Sequence, residues 1–126
     1  MNHPKVVLVV EDSADCAATI ELALAPLSGI EVRVIKTAED ALLAVAGTNV
    51  AAVITDIELR GMNGLELVAH LRSEQRYATL PVLVVSGAAG RDAPARALEA
   101  GATAFFSKPF SPAAVRQKLE GLIDVQ

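Results

Sequence analysis

VVLVVEDSAD, residues 6–15, runs five apolar residues directly into Glu11 and Asp12. An unbroken run of Val and Leu, with no alternation, describes a strand buried on both faces. Most such strands stop on Gly, Asn or Ser, so two adjacent acids at that point call for a reason. Similar short runs follow at 32–35 (VRVI), 50–55 (VAAVIT), 82–85 (VLVV) and 103–107 (TAFFS). Between them the apolar residues recur at helical spacing: Cys16, Ile20 and Ala23; Ala38, Ala41, Leu42 and Val45; Leu65, Val68 and Leu71; and last Val115, Leu119, Leu122 and Ile123.

The helix starts are marked as well. Asn63 with Glu66 has the form of a capping box, and Met62 with Leu67 is spaced as a hydrophobic staple. Ser111 followed by Pro112 reads as a cap and first helical residue. Thr37 caps the second helix, and Asp12 or Ser13 the first. The fourth helix is sparse: Pro94 stands near its start, and Ala97 and Leu98 make up nearly all of its expected apolar face. Five strands alternating with five helices give an α/β fold, a parallel sheet covered by helices on both sides.

Composition sets the outer limits. A chain of 126 residues suffices for one domain with one core, here expected to span residues 1–126. Its 52% hydrophobic content argues against disorder, and with three Phe, one Tyr and no Trp the core falls to Val, Leu, Ile and Ala. A net charge of -4 with no Lys/Arg cluster offers no footprint for nucleic acid. The single cysteine, Cys16, excludes an intrachain disulfide and fits a reducing compartment. It lies on an apolar stripe and is expected to be packing. No segment approaches the ~20 apolar residues of a membrane span. The N-terminal run is shorter than the roughly 7–15 apolar residues of a secretion signal. A soluble, cytoplasmic protein is expected.

In open α/β sheets chemistry gathers at the carboxyl ends of the strands, where strand order reverses. Here the first strand ends in Glu11-Asp12, the third in Asp56, the fourth in Ser86 and the fifth in Lys108-Pro109. The second ends in Lys36-Thr37 and contributes nothing obvious. Two unit charges ~5 Å apart at an effective dielectric near 20 repel by roughly 3 kcal/mol. Three ionised carboxylates would therefore cost on the order of 10 kcal/mol, comparable to a domain's whole stability. They must be protonated, spread apart or bound to a cation. A hard divalent ion such as magnesium, which takes few protein carboxylates plus waters and a phosphate, is the natural cation. With a lysine and a hydroxyl beside it, the cluster describes a phosphoryl site. Asp56, the lone acid of its strand end, is the candidate nucleophile.

Taken singly, each residue has an ordinary reading. Asp12 could be a helix cap, Asp56 a turn acid, Ser86 a loop serine and Lys108 a solvated surface lysine. Their coincidence on one sheet edge is what favours the functional one. His70 is expected on a polar flank, and Arg116, Lys118 and Glu120 on a solvated face of the last helix. Of the adjacent Phe105 and Phe106, one should face the core and the other a groove or solvent.

The segments VEDS, TDIELRGMNGLEL, VVSGAAG and FFSKPF, in this order, resemble the receiver domain of two-component response regulators, of the stand-alone, chemotaxis-regulator-like kind. The likeness covers essentially the whole chain, and the intervals of 44, 30 and 22 residues separating Asp12, Asp56, Ser86 and Lys108 fit it. It implies a flavodoxin-like sheet of order 2-1-3-4-5. It further implies that Asp56 accepts phosphate from a histidine kinase or histidine phosphotransfer protein. Glu11, Asp12, Asp56 and the backbone carbonyl of Glu58 would organise Mg2+ (or Mn2+). Ser86 and Lys108 would bind the phosphoryl group, Ser86 and Phe105 would form the switch, and the Lys108–Pro109 peptide would be cis. The face of the fourth helix, fifth strand and fifth helix would control binding of a downstream protein target by a monomer or a phosphorylation-dependent weak dimer, with no nucleic acid or membrane contacted directly.

Three departures from the pattern stand out. Arg60 replaces a common Pro, which implies a more mobile loop or a partner contact; Glu58 places an acid beside Asp56; and Phe105 lacks the hydroxyl of the commoner Tyr. The glycine-flanked loop Gly87-Ala88-Ala89-Gly90 is the expected moving part. Because the sequence ends just after the fifth helix, action by binding is expected unless the chain is the N-terminal piece of a longer regulator. The alternatives are a docking module that works without phosphorylation and a metal-dependent aspartyl-phosphate hydrolase. The hydrolase is disfavoured by Glu58 standing where a general-acid Asp is expected.

Overall fold

A computed structural model of the chain describes residues 3–87 and 90–123. Its elements follow the expected alternation: β1 (Lys5–Val10), α1 (Ala14–Leu24), β2 (Ile30–Ile35), α2 (Ala38–Gly47), β3 (Val50–Thr55), α3 (Gly64–Arg72), β4 (Val82–Ser86), α4 (Ala93–Ala100), β5 (Ala104–Ser107) and α5 (Pro112–Ile123). A single turn of 3-10 helix at Gln75–Tyr77, which the periodicity does not reveal, sits between α3 and β4. All strand pairs are parallel, in the order β2-β1-β3-β4-β5. Among the described residues no helix is long and apolar enough to cross a membrane.

The unbroken apolar runs are explained by two cores, one on each side of the sheet. Val6, Leu8 and Val10 of β1 point with Val53, Val82 and Val84 toward α2, α3 and α4. The intervening Val7 and Val9 point with Ile54, Leu83 and Val85 toward α1 and α5. Successive side chains thus feed opposite cores, and a strand with both faces covered has no polar positions to offer.

Capping follows the sequence. Ser13 is the cap of α1, accepting from the Cys16 amide at 3.3 Å, and Thr37 accepts from Asp40 at 3.0 Å. Asn63 and Glu66 form a reciprocal capping box before α3. The Ser111 hydroxyl accepts from Ala114 at the head of α5.

Three expectations are corrected. Leu98 is 54% exposed, and Ala93 and Ala97 make the buried face of α4. Two alanines four residues apart suffice, because small side chains let the helix lie close on the sheet. Phe105 and Phe106 are both half-buried, one in each core, since β5 has no bare face. Arg116 is not simply solvated: its Nη1 donates to the Ala23 carbonyl at 3.1 Å, closing the last turn of α1, which has no basic residue of its own. Cys16 is half-buried beside Lys108 and Pro109. Of the expected moving loop, Ala88 and Ala89 lie outside the described residues.

Candidate functional site

The strand register assembles the site. Val10 is level with Ile35 on one side and Thr55 on the other, so Glu11 and Asp56 leave the sheet side by side. The ladder runs one step further, with Glu11 N–H donating to Ile35 at 2.9 Å and Asp56 N–H to Val10 at 3.2 Å. On the other flank Ser86 is level with Ser107, and Lys108 N–H donates to the Ser86 carbonyl at 3.0 Å. Sheet order reverses between β1 and β3, so both acids sit at the switch point.

Glu11, Asp56 and Ser86 are buried, at 2%, 8% and 1% exposure. Charges so far from water need partners. Lys108 supplies one: its ammonium donates to Glu11 Oε1 and to Asp56 Oδ2, each at 2.8 Å. The remaining oxygens are also met. Ser13 N–H donates to Glu11 Oε2 and Glu58 N–H to Asp56 Oδ1, both at 3.2 Å, and the Ser86 hydroxyl bonds the Asp56 carboxyl. The Lys108–Pro109 peptide is cis.

These contacts divide the two acids electrostatically. Burial pushes the Asp56 carboxyl up, but hydrogen bonds from Lys108 and Ser86 and the lysine charge outweigh it, holding the group below its ordinary range. Burial also pushes Glu11 up; there the bonds from Lys108 and Ser13 do not compensate, and the Asp56 charge adds to the rise. Burial disfavours the Lys108 ammonium, but its two carboxylate partners overcome this and hold it above the usual lysine range. The shared lysine thus favours the ionised form of Asp56, while burial keeps the Glu11 carboxyl above its ordinary range.

The expected constellation is thus drawn together in part. Asp56, Ser86, Lys108 and Glu11 meet. Asp12 is exposed and lines a neighbouring groove with Ser13, Arg60 and the second strand end, Lys36 and Thr37. The repulsion among three acids is relieved by spreading one of them out and placing Lys108 between the other two. Among the described residues no three acidic, His or Cys side chains are placed to hold a metal between them. The expected donors are nonetheless carboxylates and the Glu58 carbonyl, all hard oxygens. That set fits an ion such as magnesium, which is held by one or two carboxylates with water and phosphate rather than by an all-protein cage.

Gly64 was missed as a site residue. It opens α3 and its N–H donates to Ile57 at 2.8 Å. A Cβ there would collide with the backbone carbonyl of Asp56. The available signal was a glycine, a poor helix former, at the first position of a well-capped helix. Phe105 lies level with Val84 of β4 and packs on the α2–α4 side.

Comparison with known proteins agrees with this geometry. Residues 7–120 match the family model described as the response regulator receiver domain. A "Chemotaxis protein CheY homolog" of Campylobacter jejuni subsp. jejuni is 33% identical over 117 residues, covering 92% of this chain and 90% of that protein. The crystal structure of a CheY-like response regulator receiver domain protein from Methanospirillum hungatei JF-1 superposes with a TM-score of 0.83 at 26% identity, over 96% of this chain and 94% of that one. The Mn(2+)-bound form of response regulator Rcp1 shares the fold, with a TM-score of 0.77 at 19% identity over 94% of this chain and 91% of that one.

Proposed function

The chain belongs to the response regulator receiver domain family, and from that premise we propose that Asp56 takes a phosphoryl group from a histidine kinase or histidine phosphotransfer protein. The observation that carries this reading is the Lys108 ammonium, 2.8 Å from both Glu11 and Asp56 in a buried strand-end site. Held ionised at neutral pH, Asp56 offers an oxygen lone pair to phosphorus; the Asp56 Oδ–P bond forms as the donor's P–N or P–O bond breaks. Lys108 and Ser86 already donate to the Asp56 carboxyl that takes up the phosphoryl group, so both stand ready to turn to its new negative charge. Asp56, the Glu58 carbonyl, Glu11 and an Asp12 turned in from its groove would organise Mg2+, or the Mn2+ named for the Rcp1 structure. When bound, the cation supplies charge neutralisation for the incoming phosphoryl oxygens.

Phosphate on Asp56 would draw Ser86 inward, and the vacated space beside β4 would admit Phe105. With no hydroxyl, Phe105 would be secured by packing alone. The changed α4–β5–α5 face would then select a downstream protein. A cytoplasmic location and a monomer or weak phosphorylation-dependent dimer accord with this role.

Incubation with phosphoramidate or acetyl phosphate and magnesium should add one phosphate to the wild type and none to Asp56→Ala, read by intact mass. Retention of the adduct by Asp56→Ala, or its absence from the wild type, would overturn the assignment.

A further inference from the structure

The loop between Asp56 and α3 carries Glu58, whose N–H holds Asp56 Oδ1 and whose carbonyl is a proposed cation ligand. At its far end the loop is fixed by the capping box at Asn63 and by the Gly64 N–H on Ile57. In between, from Leu59 to Met62, the described residues make one hydrogen bond to another element. The Met62 N–H donates to Glu39 Oε2 at 3.1 Å, across 23 residues of sequence. Glu39 stands in the first turn of α2, where an acid is favoured by the helix N-terminus. Gly61 makes room for it: φ there is +76°, and an added Cβ would lie 2.7 Å from the same Oε2. The carboxylate is held below its ordinary range, first by the Met62 N–H and then by its own backbone N–H, so it is charged at neutral pH.

We propose that Glu39 is a positioning residue for the Asp56 site, a clamp from α2 that fixes the loop and thereby the Glu58 N–H and carbonyl. The sequence at position 60 explains the need. Arg60 leaves φ free where a proline would set it, so a loop with Arg60 beside Gly61 has little local stiffness. The clamp restores from outside what the loop lacks within. Asp56 and Glu58 are thereby coupled to α2, the helix that packs over the first core and adjoins α3.

The proposal rests on the reading above for its consequence and on geometry alone for the clamp, so two measurements on the full chain separate them. Amide exchange at Met62 should quicken about fivefold in Glu39→Ala, the size expected of one net hydrogen bond. It should stay within twofold of wild type in Glu39→Gln, whose amide oxygen still accepts. Half-saturation by Mg2+, followed through the Glu58 and Asp56 amide resonances, should rise about fivefold in Glu39→Ala and return with Glu39→Gln. Unchanged Met62 exchange in Glu39→Ala overturns the clamp. Equal losses in the Ala and Gln variants also overturn it, because they would assign the effect to charge at the head of α2. If the wild type takes up no Mg2+, the functional reading fails, while quickened Met62 exchange together with shifted Glu58 and Asp56 amides in Glu39→Ala still supports the clamp.

Discussion

Lys108 at the carboxyl edge of the sheet and Arg72 at the opposite edge each donate to several oxygens contributed by distant segments. Lys108 joins Glu11 and Asp56, both ionisable. Arg72 joins the carbonyls of Gly101 and Tyr77, at 2.8 and 2.7 Å, and the Thr103 hydroxyl at 3.4 Å, all neutral. Other helix ends are likewise closed by borrowed groups: the Tyr77 hydroxyl donates to Val45 in the last turn of α2, Lys5 to Ile123 at the end of α5, and Arg116 to Ala23 in α1. A planar guanidinium between carbonyls has one good geometry and nothing to exchange. A compact ammonium between carboxylates can pass to a new anion by rotating its stem. One edge is a fixed tie and the other is chemistry in waiting, although both are a cation among oxygens.

The sharpest way to break this contrast is to remove each cation. Lys108→Met should slow phosphate uptake from phosphoramidate by about 10²–10³-fold, as expected for losing one preorganised donor to a developing anion. Arg72→Met should leave that rate within about twofold, since none of its partners touches the site. Time courses by intact mass decide it; a large rate loss in Arg72→Met would end the distinction. Thermal unfolding should report the converse. Arg72→Met leaves two carbonyls without their charged donor and should cost about 2–3 kcal/mol, lowering the melting temperature by roughly 10 °C.

pH sharpens the comparison further. Without Lys108, Glu11 and Asp56 face each other buried and uncompensated, so both carboxyls would move up. A raised carboxyl destabilises the fold above its folded pKa and ceases to do so once protonated in both states. The cost of Lys108→Met should therefore be about 2 kcal/mol at pH 7 and largely vanish by about pH 4, in the ordinary carboxylate range. In the wild type the sign for Asp56 is the reverse. Its lowered carboxyl contributes stability above the unfolded value and loses it as pH falls through the folded one. Arg72 keeps its charge throughout, burial lowering it only from a very high value, so its deletion should cost the same at both pH values. Denaturant titrations at pH 7 and pH 4 measure both differences.

How much of this was legible in the sequence follows the same division. The strands announce themselves because burial on both faces leaves long apolar runs, and Asp56, Ser86 and Lys108 because strand ends in a parallel sheet converge. The opposite edge was silent. Arg72 and Tyr77 bond to backbone carbonyls, which every residue carries, so no side-chain pattern marks the partners. Glu39 and Met62 meet across 23 residues through a backbone N–H for the same reason. The outward placement of Asp12 was equally hidden. Sequence lists the charges at a strand end, whereas geometry decides which of them share a lysine.

The smallest effect is the most discriminating. Tyr77→Phe removes the hydroxyl that donates to the Val45 carbonyl at 3.0 Å and nothing else, since Arg76 stacks 4.7 Å from the ring centre and would still do so on Phe. Both Tyr77 and Val45 border an open surface groove with Thr48 and Pro81, so water can reach the orphaned carbonyl. The cost should therefore be about 1 kcal/mol of stability and not the larger sum due to a buried unpaired group, with phosphate uptake unchanged. Ser86→Ala likewise removes one hydroxyl, but from a side chain bonded to Asp56. It should slow uptake severalfold at least, in line with losing a donor to the incoming phosphoryl group. If deleting the Tyr77 hydroxyl slowed phosphorylation as much as deleting that of Ser86, the far edge would be part of the switch and not its anchor.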